Sequence, residues 1–341
     1  RLIMGLLVHY KDEIKIVGDK SLSKRDFMRI INPLKNFGAK FKSNNGKLPI
    51  SIMGTNHARP IKYHENKGSA QCKSAVMLAA LNTSGTTYIK AKKSRNHSEL
   101  LFKHLGLKIK INKKKNYDLI KIKGKRNIKP FNYNIPSDIS SSAFFIVLAA
   151  LSKKSKIKIR NVNTNPSRLG VIKILKKMGV KILIKNLRIY KGEKIANIHV
   201  TSKENLKPID CPTNLNSSAI DEFLLIFLVA AKAKGISTFR KLSELNQKES
   251  PRLIWGSKIL RKMGIKTILS KDSIKIYGNP SLRLDKKIVI KNYLKDHRVF
   301  MTSVIAALTF GGKWKIYDKN SVNTSFPSFI NKIRKIGAKV N

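Results

Sequence analysis

Acidic residues are scarce in this chain: 19 Asp and Glu stand against 71 Lys and Arg in 341 residues, for a formal charge of +52 at pH 7. Such an excess raises nucleic acid or an anionic membrane surface as a partner, provided the charge is clustered. Aromatic residues make up only 7% of the sequence, and no basic run is interleaved with them as a base-stacking platform requires. Cysteine is nearly absent: Cys72 and Cys211 lie far apart, fit neither a metal spacing nor a disulfide framework, and point to a reducing compartment. Long apolar runs are missing too. The longest, FLLIFLVAA at 223–231, is about half of what a membrane span needs. The amino-terminal RLIMGLLVHY carries neither an initiator Met nor the n-region of a signal peptide, so the expectation is a cytoplasmic protein cut at its start. Neither GxGxxG nor a P-loop occurs, which argues against a doubly wound nucleotide-binding sheet.

What is abundant is lysine alternating with isoleucine, as in KIKI and SKDSIKIY. This is the pattern of half-buried strands whose solvent face is filled with lysine. The charge is spread over nearly every segment, so it reads as the compositional bias of an A- and T-rich coding sequence and not as a nucleic-acid footprint. It still favours the capture of a phosphorylated substrate. The hydrophobic share of 42% is that of a globular protein, and the length suggests two domains or one enlarged by repeats.

Five stretches share one phrase: NFGAKF, HLGLKI, KMGVKI, KMGIKT and KIGAKV, with glycines at 38, 106, 179, 264 and 337. An apolar-periodic segment precedes each glycine and predicts an amphipathic helix with Gly at its C-terminal cap. After the first four, alternating stretches with a turn predict a β-hairpin. Upstream lies a second helix ending near an alanine pair, as in SAQCKSAVMLAAL, DISSSAFFIVLAAL, AIDEFLLIFLVAA and DHRVFMTSVIAAL, followed by a short strand. One unit thus reads helix, strand, helix, strand, strand, and the fold class is α/β or α+β built from repeats. The first unit is incomplete. Two lobes, 1–133 and 134–341, with about two and three units, would balance only with one more unit upstream.

The predicted helix starts collect polar residues: Ser69-Ala70-Gln71, Asp138 to Ser141, Asp221-Glu222 and Asp296-His297-Arg298 for the first helices, and Arg25, Arg95, Arg168 and Lys248-Glu249 for the second. Helix N-termini favour anions, and arginine adds bidentate phosphate or carboxylate recognition. Each residue also has a structural reading. Asp138, Asp221, Asp296, Ser69 and Ser140 suit N-caps, single arginines are mostly solvated, and a histidine such as His297 is more often a structural hydrogen-bonder than a catalyst. Recurrence at corresponding places of several units favours a site.

Nine motifs in order along the whole chain, GDKSLSKR (18–25), SAQCKSA (69–75), SRNHSE (94–99), DISSSAFF (138–145), NPSRLG (165–170), IDEF (220–223), QKESPR (247–252), DHRVFM (296–301) and TSFPSF (324–329), resemble the 5-enolpyruvylshikimate-3-phosphate (EPSP) synthase family, in its class II bacterial form. The resemblance implies two domains of βαβαββ units, an inside-out α/β barrel, without metal or organic cofactor. It implies a monomer that moves the enolpyruvyl group of phosphoenolpyruvate to the 5-hydroxyl of shikimate 3-phosphate and releases phosphate. Ser69, Ala70, Gln71, Arg95, Asp221 and Lys248 would hold shikimate 3-phosphate; Arg25, Gln71, Glu249, Arg252 and Arg298 would hold phosphoenolpyruvate. Asp221 would accept the hydroxyl proton and Glu249 would protonate the methylene carbon. Departures from the family pattern are Asp26, Asn96, Pro251 and Phe300, which replace Pro, Asp, Asp and Ala. The family's N-terminal segment, with its Lys-Ser and Arg, has no counterpart, so the fragment is expected to be inactive. Two alternatives are a UDP-N-acetylglucosamine enolpyruvyl transferase, for whose loop cysteine Cys72 within a helix is a poor candidate, and a basic nucleic-acid-binding protein on the same scaffold.

Overall fold

Glycine closes the second helix of each repeat in the computed structural model, which describes residues 1–19, 22–124 and 128–340. Gly38, Gly106, Gly179, Gly264 and Gly337 all have positive φ, from 67° to 109°. A residue without Cβ takes this conformation at little cost and lets the backbone leave the helix toward the next strand. Lys20 and Ser21, inside the GDKSLSKR motif, lie outside the described residues.

The first repeat runs α1 (Ile3–Leu7), β1 (Ile14–Ile16), α2 (Met28–Lys35), β2 (Lys40–Asn44) and β3 (Lys47–Met53). The second runs β4 (Lys62–Glu65), α3 (Ala70–Asn82), β5 (Thr86–Lys92), α4 (His97–His104), β6 (Ile109–Lys113) and β7 (Tyr117–Lys123). The third is α5 (Ile139–Leu151), β8 (Lys156–Asn163), α6 (Gly170–Lys177), β9 (Lys181–Tyr190) and β10 (Glu193–Thr201). In the fourth the first helix is split into α7 (Asn216–Ala219) and α8 (Phe223–Lys232), followed by β11 (Gly235–Phe239), α9 (Arg252–Lys262), β12 (Thr267–Leu269) and β13 (Ile274–Gly278). The fifth holds β14 (Leu284–Ile290), α10 (His297–Phe310), β15 (Gly311–Ile316) and α11 (Phe329–Lys335).

Each repeat has its own sheet, in the orders β1-β3-β2, β4-β5-β7-β6, β8-β10-β9, β11-β13-β12 and β14-β15. The hairpin strands pair antiparallel, whereas β4 with β5 and β14 with β15 are parallel across an intervening helix. In the third and fourth repeats the leading strand shrinks to single parallel bridges, Ser137 to Val162 and Asp210 to Thr238. The full unit is therefore βαβαββ. Its first strand was not legible from periodicity, because KYHE in β4 does not alternate.

The chain divides into two compact units, Arg1–Asn134 with Tyr190–Glu193, and Ile135–Ile189 with Lys194–Asn341. The tip of the β9–β10 hairpin groups with the first unit, which a single linear boundary does not capture. In the first unit, α3 is buried from Cys72 to Met77 and packs against α1 and α2. In the second, α5, α8 and α10 pack on one another, and α8 is buried from Phe223 to Ala231. A helix apolar on every side belongs in an interior. Phe223, Phe227 and Phe239 meet there with ring centroids 5.1 to 5.9 Å apart. The FLLIFLVAA run is thus a core helix; among the described residues no helix is long and apolar enough to cross a membrane. The strands cover these helices with Ile facing in and Lys facing out, as the alternating burial of β5 and β7 shows.

Candidate active site

The functional candidates of the second unit gather around one buried guanidinium. Arg252 opens α9, with Pro251 at the N-cap position and its carbonyl accepting from Trp255 N at 3.0 Å. Its side chain is 2% exposed and meets three carboxylates. Arg252 Nε donates to Asp296 Oδ2 at 2.8 Å and Nη2 to Asp296 Oδ1 at 3.2 Å. Nη2 also donates to Glu249 Oε2, and Nη1 lies 3.6 Å from Asp221 Oδ1. Asp296 is fully buried; it accepts from Ser250 Oγ at 2.8 Å and caps α10 by accepting from Arg298 N at 2.9 Å. Burial alone would raise its pKa, but the Arg252 charge and these hydrogen bonds hold it below the ordinary Asp value. Burial likewise opposes the Arg252 charge, yet Asp296 foremost and then Glu249 and Asp221 hold it above its ordinary value.

Asp221 lies in the turn between α7 and α8, so its carbonyl is outside the helical ladder and accepts from Arg298 Nη1 at 2.8 Å. Lys248 Nζ stands 3.4 Å from Asp221 Oδ1 and 3.4 Å from Glu244 Oε1. Beside Asp221, Glu222 is 2% exposed, accepts from Ser140 Oγ, and lies 3.6 Å from Arg298 Nη1. Burial pushes its carboxyl above the ordinary Glu range, with Arg298 opposing. Arg168 Nη2 donates to Ser140 Oγ at 2.5 Å and to Asp138 Oδ1 at 3.4 Å, while Asp138 Oδ2 caps α5 at Ser141 N, 2.9 Å away. His297 is partly buried, and burial, followed by Arg298 and Arg252, outweighs Asp296 and keeps its pKa low. Half-buried carboxylates set among lysine and arginine can move protons while the cations hold an anion.

In the first unit a second cationic group surrounds the start of α3. Ser69 caps this helix, its Oγ accepting from Cys72 N at 3.3 Å. Arg1 Nη1 donates to Gln71 Oε1 at 3.3 Å and Nη2 to the Asp26 carbonyl at 2.9 Å, with the guanidinium 4.9 Å above the Phe27 ring. Burial and then the neighbouring Arg25 lower the pKa of Arg1. Arg25 and Arg95 are half-buried, two or three positions ahead of α2 and α4. Asp26 Oδ1 accepts from Met28 N at 2.7 Å, fixing the first turn of α2. Among the described residues no cluster of three His, Cys, Asp or Glu could hold a metal.

Comparison with known proteins gives this geometry a family. The sequence pattern of EPSP synthase (3-phosphoshikimate 1-carboxyvinyltransferase) matches residues 1–333. A 3-phosphoshikimate 1-carboxyvinyltransferase of Ruthia magnifica is 42% identical over 342 aligned positions, covering 100% of this chain and 77% of the relative. An EPSP synthase structure from Acinetobacter baumannii superposes with a TM-score of 0.86 at 35% identity, over 98% of this chain and 76% of that one. The chain belongs to the EPSP synthase family. An enolpyruvyl transferase from Streptomyces tendae shares the fold alone, with a TM-score of 0.73 at 14% identity over 99% of this chain and 76% of that one.

Of the EPSP synthase residues named from sequence, the second unit brings together Asp221, Lys248, Glu249, Arg252 and Arg298, and the first unit holds Arg25, Ser69, Ala70, Gln71 and Arg95. Asp138 and Asp296 are N-caps as read, but Asp221 is not, since Glu222 occupies the N-cap position of α8. Several participants escaped the sequence reading: Asp296 as the anchor of Arg252, Glu222 and Arg168 joined through Ser140, and the buried pair Lys73–Glu99. The signal for the last was present, a lone lysine inside the apolar helix SAQCKSAVMLAAL. Among the departures, Phe300 fills core space in α10 at 3% exposure, and Asn96 takes the N-cap position of α4.

Proposed function

We propose that this protein transfers the enolpyruvyl group of phosphoenolpyruvate to the 5-hydroxyl of shikimate 3-phosphate with release of phosphate. The observation that carries the reading is the cluster in which Asp221 and Glu249 share the Arg252 guanidinium beside Lys248 and Arg298, in a chain of this family. On the first unit, Ser69, Ala70, Gln71 and Arg95 take shikimate 3-phosphate, and Arg25 with Gln71 takes phosphoenolpyruvate. On the second, Asp221 and Lys248 serve the former substrate, and Glu249, Arg252 and Arg298 the latter. The 5-hydroxyl oxygen attacks C2 of phosphoenolpyruvate while Asp221 accepts its proton and the Glu249 carboxyl protonates C3, giving a tetrahedral adduct. Glu249 then removes a C3 proton as the bond from C2 to the phosphate oxygen breaks. The arginines balance the phosphate and carboxylate charges throughout.

Two lobes, 1–133 and 134–341, carry these residues, and the enzyme works as a cytoplasmic monomer on two small anions; its free, buried thiols Cys72 and Cys211 suit a reducing compartment. Acceptor choice tests the assignment. In the chain joined to the family's N-terminal segment, phosphate release from phosphoenolpyruvate is expected to require shikimate 3-phosphate and to fail with UDP-N-acetylglucosamine; the reverse preference would reject it.

A further inference from the structure

Lys73 lies one turn into α3 and is 1% exposed. Its ammonium pairs with Glu99 Oε1 of α4 at 2.5 Å and donates to the backbone carbonyl of Arg95 at 3.0 Å. Ser74 and Ser98 bridge the same two helices at 2.6 Å. A buried ion pair is a poor source of stability, because desolvation offsets its attraction and apolar residues of similar volume often serve as well. This pair is not optimised for stability either, since Glu99 Oε2 is buried and finds no hydrogen-bond partner among the described residues. What the ammonium does, and an apolar side chain cannot, is hold the Arg95 backbone at a fixed distance from the turn Ser69–Gln71.

We propose that Lys73 is a positioning residue, which sets the spacing at which Arg95 and the first turn of α3 together take one anionic substrate. The inference rests on the reading of Arg95 as a ligand of shikimate 3-phosphate. Lys73 does not touch substrate; it acts through the Arg95 carbonyl. Its loss therefore weakens one substrate and not the other.

Steady-state kinetics with each substrate varied separately tests this on the chain joined to the family's N-terminal segment. The double variant K73M/E99M removes the tether without leaving an unpaired buried charge. It is expected to keep its Tm and to raise KM for shikimate 3-phosphate about tenfold or more, as a misplaced binding group does, with KM for phosphoenolpyruvate and kcat nearly unchanged. The variant K73Q/E99Q keeps a neutral link between α3 and α4, but its side chain is one atom too short for the Arg95 carbonyl, and it is expected to show the same split. If K73M/E99M fails to fold, this second variant decides. An unchanged KM for shikimate 3-phosphate, or equal rises for both substrates, would overturn the proposal. Arg95→Ala keeps the two ideas apart: if it leaves shikimate 3-phosphate binding intact, the assignment of Arg95 itself is what fails.

Discussion

At the scale of single residues, the site depends on pairings that sequence position conceals. QKESPR and DHRVFM were each legible as polar helix starts, and Asp296 as an N-cap. That Asp296 also fixes Arg252, 44 positions away, was not, because tertiary folding alone brings these helix ends together. Two predictions belong here. In a full-length version of the enzyme, Asp221→Asn and Glu249→Gln are each expected to lower turnover by about 10²- to 10⁴-fold, the usual contribution of an acid–base group, with unchanged circular dichroism. Wild-type turnover in both would reject their roles. Asp296→Asn leaves a buried guanidinium with a poorer partner, a change that costs about 3–5 kcal/mol when a buried pair is broken. Since the folded-state pKa of Asp296 is depressed, the contribution of the pair is fully present above the ordinary Asp value of about 3.9, and it is lost as pH falls through the folded value. Urea midpoints of wild type and Asp296→Asn are therefore expected to differ widely at pH 7 and to converge below about pH 4. A constant difference across that range would contradict the assignment.

At the scale of elements, the glycine-closed helices and their hairpins were legible because each rests on local chemistry, a 3.6-residue apolar period ended by a residue that tolerates positive φ. The short helix α7 was not, since the sequence places the start of this helix at Asp221-Glu222 and offers no period for NSSA ahead of it. Between α7 and α8 the Asp221 carbonyl accepts from Arg298 Nη1, a tertiary contact that no local pattern announces. Gly264 offers a clean test of the cap. Its φ is +89° and an added Cβ would touch nothing within 4 Å, so Gly264→Ala isolates the backbone cost. A loss of about 1 kcal/mol in chemical denaturation is expected; no loss would mean that the positive φ is not required.

At the scale of the whole molecule, the charge of +52 is spread over nearly every segment, the outward faces of strands such as β5 and β7 among them, where lysine alternates with buried residues. It serves solubility and attracts small anions over about a Debye length. KM values for both substrates should accordingly rise with ionic strength, while any retention on DNA should fall steeply with salt and show no sequence preference. The central claim, addition of the acceptor hydroxyl across the double bond of phosphoenolpyruvate followed by loss of phosphate, is tested most directly by running the reaction in D₂O and reading the product by NMR. The transient methyl group formed when Glu249 delivers deuterium to C3 gives up either isotope on elimination. The account therefore predicts deuterium in the methylene of the enolpyruvyl product, dependent on shikimate 3-phosphate. Phosphate release with no deuterium at that carbon, or with no enolpyruvyl ether formed, would contradict it.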